Sequence, residues 1–150
     1  MTISTKAVER LQAVLDTITK DRSRWNQRVW LEKSSDSACG TVGCLAGNLV
    51  LQDPQLQDIV WHVDDVYSEV QHVVFPGGIE IVRDAAARIL LDDYEALNSG
   101  DDEDTVEDLF NGHNRLEDLW CIGQLLAEGR LEIPESVDVT VSHLYYPSDD

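Results

Sequence analysis

The chain of 150 residues is long enough for one domain that buries roughly two-thirds of its unfolded surface. Its composition, 43% hydrophobic and 27% charged, excludes a fully disordered chain, and no apolar run approaches the roughly 20 residues that cross a bilayer. The formal net charge of −18 makes direct binding to nucleic acid or to anionic lipid unfavourable, because both carry negative charge. Without an internal repeat or a long linker, residues 1–150 are expected to form a single globular domain.

Helical spacing is clear at the start of the chain. Residues 5–20 are predicted to form the first helix, with Thr5 as the N-cap. Its buried face is expected to consist of Val8, Leu11, Leu15 and Ile18. A basic and aromatic segment from Arg22 to Trp30 follows, either as a continuation of this helix or as a loop.

A second helix is predicted from about Val42 to Leu51, with Thr41 as its cap and Asp53-Pro54 after its end. Gly43 and Gly47 would lie one turn apart on it. Because glycine is a poor helix former, their presence suggests that another backbone packs closely against this face.

The stretch 59–75 is rich in β-branched residues, which favours a hairpin turning at Asp64-Asp65 over a helix. Gly77-Gly78 then interrupts the chain. A helical face is predicted next, consisting of Ile79, Val82, Ala86, Ile89 and Leu90.

Shorter elements follow. Asp92 to Glu95 resembles a capping box that begins a short helix, which Ser99-Gly100 ends. An acidic loop leads to Thr105, a further cap before Leu109 and Phe110.

Asn114 is predicted to cap a last helix that ends at Gly129. The buried side of this helix is expected to consist of Leu116, Leu119, Trp120, Gly123 and Leu126. The final prediction is a strand of alternating residues, namely Val137, Val139, Val141 and Tyr145. The expected fold is therefore mainly α within the α+β class, with four to five packed helices and a small antiparallel sheet or hairpin.

The most distinctive local sequence runs from Cys39 through Gly40-Thr41-Val42-Gly43 to Cys44-Leu45-Ala46-Gly47. A cysteine just before a helix N-terminus faces unpaired N–H groups, which stabilise a thiolate. Cys39 is therefore a weak candidate nucleophile for a cysteine hydrolase, with one of four histidines as its base. The alternative, which we favour, is that Cys39 and Cys44 are small buried residues.

This Cys-Gly-Thr-x-x-Cys-x-Ala-Gly motif resembles one in small uncharacterised proteins of actinobacteria and their phages. In those proteins a tryptophan segment precedes the motif, as Trp25 and Trp30 do here, and an alanine-rich helix leads to an acidic Leu-Phe element, as at Leu109-Phe110. The similarity covers residues 25–110. It departs from the family pattern at Leu91, where glycine is common, and it implies a phage or mobile-element origin without implying an activity.

Signals for metals and cofactors are weak. Cys39, Cys44 and Cys121 with a histidine could form a zinc site, but Cys121 has no second ligand nearby in sequence. The loop from Asp101 fails the EF-hand pattern at its sixth and twelfth positions, which are Val106 and Gly112. The common nucleotide-binding and hydrolase motifs are absent, so we predict no metal and no cofactor.

Charge distribution carries the functional prediction. Residues 1–60 contain seven basic and seven acidic residues, whereas residues 61–150 contain four basic and twenty-two acidic ones. The simplest explanation is solubility. The more specific one is a non-enzymatic binding or regulatory protein that docks on a basic surface of a host protein, including the case of a DNA mimic. The predicted binding residues are Asp92, Asp93, Asp101, Asp102, Glu103, Asp104, Glu107 and Asp108.

Other functions stay open at this point. The chain could be the cysteine-dependent hydrolase described above, or a structural protein that forms a homo-oligomer through Gly43, Ala46 and Gly47. The segment from Arg22 to Arg28 is expected to pair with the acidic half. An odd number of cysteines and the lack of a secretion segment at the N-terminus favour the cytoplasm.

Overall fold

The computed structural model describes residues 3–29, 31–33, 41–60, 72–91 and 108–141. The helices described completely within these ranges are α1 (Thr5–Lys20), α2 (Leu45–Leu51), α3 (Val82–Leu90) and α4 (Leu116–Leu126). Two short strands, β1 (Leu31–Lys33) and β2 (Thr41–Gly43), pair antiparallel. Three more, β3 (Asp58–Val60), β4 (His72–Phe75) and β5 (Gly78–Ile81), form an antiparallel sheet in the order β3-β4-β5. The predicted α+β fold with a small antiparallel sheet is confirmed.

The first helix is the centre of the fold, since it contacts α2, α3 and α4. The four apolar residues predicted for its inner face are all buried, as the helical spacing requires. The predicted cap was one residue off. Ser4 is the N-cap, and its hydroxyl accepts a 3.0 Å hydrogen bond from the backbone N–H of Ala7.

This cap gives a direct test. We expect Ser4→Ala to lower the free energy of unfolding by about 1 kcal/mol, because the Ala7 N–H loses its acceptor. Thr5→Ala is the matched control and should change stability by less than about 0.5 kcal/mol. Urea unfolding of both variants measures the difference, and a larger loss for Thr5→Ala would restore Thr5 as the cap.

The second helix starts later than the sequence pattern indicated. Thr41 does not cap a helix, because Thr41–Gly43 is strand β2, and Cys44 occupies the N-cap of α2. Gly43 and Gly47 are therefore not neighbours on one helix. Gly47 is buried inside α2, which packs against α3.

The three-stranded sheet agrees with the predicted hairpin, since β3 and β4 pair antiparallel, with Val60 opposite His72. The turn proposed at Asp64-Asp65 lies outside the described residues. Gly77 and the preceding Pro76 form a two-residue turn between β4 and β5. Ile79 was assigned to the next helix, but it is in β5 and is 65% exposed.

Helices α3 and α4 complete the core. Val82, Ala86, Ile89 and Leu90 of α3 are buried as predicted. The predicted inner residues of α4 are buried too, and Gly123 allows α1 to approach closely: a Cβ at this position would lie 3.4 Å from a methyl carbon of Leu15. The predicted cap of α4 was one residue off: Arg115 is the N-cap, and its backbone N–H donates to the Asp118 carboxylate at 2.8 Å, while the amide of Asn114 donates to the carbonyl of Asp108.

The predicted final strand does not form. Val139–Val141 is a 3-10 turn, and Asp138 accepts hydrogen bonds from the backbone N–H and hydroxyl of Thr140. This local side-chain bonding competes with a strand ladder. Tyr145 lies outside the described residues. Among the described helices, none is both long and apolar enough to span a bilayer.

Candidate functional site

The structure describes one of the eight predicted binding residues. Asp108 is exposed, and its carbonyl accepts a 2.6 Å hydrogen bond from the amide of Asn114, which fixes this part of the backbone. The other seven lie outside the described residues, namely Asp92, Asp93, Asp101, Asp102, Glu103, Asp104 and Glu107. The predicted short helix beginning at Asp92 and the acidic loop lie outside them as well.

The cysteine motif is built into the core around Gln27, which is buried. The Gln27 side-chain carbonyl accepts hydrogen bonds from the Trp25 indole (2.8 Å) and from the Leu45 backbone N–H (3.1 Å). Its amide donates to the carbonyls of Leu109 and Asn111, both at 3.1 Å. One side chain therefore links the tryptophan segment, the start of α2 and the Leu-Phe element.

Cys44 occupies the position that the sequence argument gave to a reactive cysteine, directly before a helix. Backbone N–H groups of Gly47 and Ala46 reach its sulfur, which favours the thiolate. Cys44 is, however, only 2% exposed, and burial raises the pKa of its thiol from 9.0 to about 11. The prediction that Cys44 is a small buried residue is confirmed, and Cys39 lies outside the described residues.

The structure does not bring together a metal site from the residues it describes. Cys121 lies on α4, where its sulfur is 3.7 Å from the carbonyl oxygen of Val139, while Cys44 caps α2. Within the described ranges, no group of three or more histidine, cysteine, aspartate or glutamate side chains could hold a metal ion.

Within the described residues, the ion pair of the basic segment lies in the first sixty residues. Arg24 pairs with Asp21, three residues earlier, at 3.1 Å. Arg10 pairs with Asp53 at 2.7 Å, again within the first sixty residues. In the part of the chain that the structure describes, no ion pair joins the basic segment to an acidic residue beyond position 60.

The four arginines of the acidic half are already engaged. Arg83 is 3.3 Å from Asp84, Arg88 is 2.8 Å from Glu80, and Arg115 is 3.7 Å from the buried Asp118. Arg130 donates instead to the carbonyls of Ala127 and Ile3. Within the described residues, the arginines of this half therefore engage Asp84, Glu80, Asp118 and two backbone carbonyls.

We use the name α4 acidic surface for five further carboxylates on α4 and the segment that follows it, namely Glu117, Glu128, Glu132, Glu135 and Asp138. The segment that follows α4 returns alongside it, since Leu131 is bonded to Gln124 and the Val139 carbonyl lies beside Cys121. Four of the five residues are exposed, and Glu117 is half-buried. Hydrogen bonds from Thr140 hold the pKa of Asp138 below its usual value, so this carboxyl stays charged.

The backbone under this surface is fixed by two glutamines. Gln124 donates to the Leu131 carbonyl (3.0 Å) and accepts from its N–H (2.8 Å). Gln12 of α1 makes the same pair of bonds with Glu132, at 2.9 and 2.8 Å. Each side-chain amide thus bonds both the N–H and the carbonyl of one residue of the segment, as the backbone of a neighbouring strand does. The carboxylates are presented on ordered backbone.

A search against protein-family models, curated proteins and solved structures finds no match to this chain. The site is therefore interpreted from its own geometry.

An apolar side chain completes the α4 acidic surface. Leu125 is 72% exposed and lies one helical turn before Glu128, whose backbone N–H donates to the Leu125 carbonyl. Sequence reasoning missed this residue because it considered only the inner face of α4. Leu125 lies on the side of α4 opposite Leu116 and Gly123 in a helical projection, off the buried stripe, and that position was the available signal. An exposed leucine on a surface that also carries carboxylates suits an apolar anchor within a charged docking surface.

Proposed function

We propose that this chain is a non-enzymatic binding protein that docks through the α4 acidic surface on a basic surface of a partner protein. The observation that carries the proposal is a set of exposed carboxylates on the segment that returns beside α4, together with the exposed Leu125 of that helix and with the described arginines of the same half engaged elsewhere. Oppositely charged surfaces attract at long range and set orientation, while a central apolar contact supplies affinity. The cytoplasm is the proposed location, and the resemblance to phage proteins favours a host protein as the partner.

A structural role through a glycine-rich helix face has less support. Ala46 and Gly47 are buried within the molecule, and Gly43 belongs to β2, so these residues do not form an exposed face for a second copy. The net charge of −18 also opposes close contact between two copies. Both facts favour a basic partner over a homo-oligomer.

The test is capture from a bacterial lysate on the immobilised protein, followed by titration of the purified captured protein. We expect a basic protein whose affinity falls steeply as salt rises toward about 0.5 M, because salt screens exposed charges. Glu132→Gln combined with Glu135→Gln should weaken binding about threefold to tenfold. Leu125→Ala should weaken it about tenfold through loss of the apolar contact.

The matched control removes the same charge elsewhere. Glu9→Gln combined with Asp58→Asn also changes the net charge by two, at exposed positions of the first half. An equal effect of both double variants would show that only total charge matters and would contradict the proposed surface. Retention of the partner at all salt concentrations would do the same. Competition by duplex DNA for the captured protein would identify its nucleic-acid groove as the docking surface.

A further inference from the structure

Strand β5 is an edge of the three-stranded sheet, because among the described strands only β4 pairs with it. The register places Phe75 opposite Gly78 across the turn, then Val74 opposite Ile79 and Val73 opposite Glu80. An edge strand presents unpaired backbone groups, which other proteins use to bind an extended segment as an additional strand.

The register also determines which backbone groups face outward. Phe75 and Gly78 flank a two-residue turn, so they are a hydrogen-bonded pair. Bonded and non-bonded pairs alternate along an antiparallel ladder, and Glu80 is therefore the next residue bonded to β4. The N–H and carbonyl of Ile79 point away from β4. Within the described ranges, they make no hydrogen bond to another residue.

The surroundings of this edge are open. Ile79 is 65% exposed, and a Cβ added at Gly77 or Gly78 would meet no atom within 4 Å. Nothing in the described part of the chain therefore blocks an added strand sterically at the turn end of β5.

A cavity of about 400 Å³ adjoins the same edge, a volume within the range of ligand sites. Phe75 and Pro76 supply apolar side chains to its lining, Gln55 supplies an amide, and Ile79 borders it along the strand. At its rim, the Arg88 guanidinium lies 4.8 Å from the centre of the Phe75 ring and is paired with Glu80. Glu80 and Gly78 share this face of the sheet, whereas the Ile79 side chain lies on the opposite face.

We propose that the β5 edge binds an extended peptide segment of a partner protein in which apolar and basic residues alternate. The peptide residue paired with Ile79 would place an apolar side chain beside it, and the adjacent residues would point to the cavity side. A lysine there packs its aliphatic stem against the apolar lining and brings its ammonium group to the Glu80 carboxylate. The net charge of −18 favours such a basic segment over a second copy of this acidic chain.

The probe is a synthetic heptapeptide of alternating lysine and valine with blocked ends. We expect it to perturb the Ile79 and Glu80 amide resonances and to slow hydrogen exchange at Ile79, whose amide should exchange rapidly in the free protein. The same peptide with N-methyl groups on the alternate amides that would face β5 keeps its charge and side chains but loses the N–H donors of that edge. Its affinity should be at least about tenfold lower, the equivalent of one or two backbone hydrogen bonds.

A protein variant tests the same edge. Ile79→Pro removes an N–H that β4 does not use, so it should weaken peptide binding about tenfold or more, whereas Ile79→Val should bind like the original protein. Equal binding of the methylated and unmethylated peptides would overturn the proposal without reference to any variant. So would protection of the Ile79 amide in the free protein, since it would mean that this chain or a second copy already covers the edge. Leu125→Ala should leave peptide binding unchanged, which separates this site from the α4 acidic surface.

Discussion

Replacing Gln27 with methionine is expected to lower the free energy of unfolding by about 2–4 kcal/mol. Methionine has nearly the shape of glutamine but neither its donor nor its acceptor. The Leu45 N–H would therefore lose its hydrogen bond in the interior, where its desolvation cost stays uncompensated, and the Leu109 carbonyl would keep only the 3.4 Å bond from the Asn114 amide. The Trp25 indole and the Asn111 carbonyl would lose theirs as well.

Urea unfolding followed by tryptophan fluorescence measures this loss. Gln57→Met is the matched control, because Gln57 is exposed and we expect a change within about 0.5 kcal/mol. A similar small effect for both variants would mean that the Gln27 hydrogen bonds contribute little and that packing alone holds the cysteine motif against the Leu-Phe element.

Alkaline pH is expected to destabilise the protein through Cys44. Its thiol has a pKa near 9.0 in the unfolded chain and about 11 in the folded protein. The contribution is fully present below pH 9 and is lost as pH rises toward 11, because the unfolded state releases this proton first. Between about pH 8 and pH 10.5, this difference corresponds to a loss of about 2 kcal/mol.

The measurement compares urea unfolding at these two pH values in the original protein and in Cys44→Ala. The variant is less stable at both values because it lacks the sulfur, but its additional loss on going to alkaline pH should be about 2 kcal/mol smaller. Cys121→Ala keeps Cys44 and should retain the full pH dependence. An identical alkaline loss in Cys44→Ala and the original protein would show that this thiol is not the group that titrates.

The fold class was predictable because long amphipathic helices can be recognised from the spacing of their apolar residues. The buried stripes of α1 and α4 could be assigned residue by residue from the sequence. Helix starts were less certain. Ser4 and Thr5 are equally good caps by type, and only the geometry of the Ala7 hydrogen bond distinguishes them. Val139–Val141 forms a 3-10 turn in place of the predicted strand, because the hydrogen bonds between Asp138 and Thr140 compete with strand pairing.

For the candidate site, only the negative charge could be predicted from the sequence. The count of acidic residues in the second half indicated a negative surface, and the exposed carboxylates on the segment after α4 agree with that expectation. The sequence could not indicate which arginines would pair with which carboxylates. In the structure, Arg24 pairs with the nearby Asp21, and Arg130 donates to backbone carbonyls. The open edge at Ile79 depended on sheet order, which a short apolar run does not determine.

The hydrogen bonds of Gln27 also constrain the order of folding. Helix α2 has seven residues, too few to be stable as an isolated helix in water. Its first N–H is bonded to Gln27, whose amide in turn holds the Leu109 carbonyl, 82 positions away in the chain. Completing this end of α2 therefore requires a loop closure over more than half of the polypeptide. This step is placed after the formation of α1, because the backbone hydrogen bonds of α1 join residues that are close in sequence.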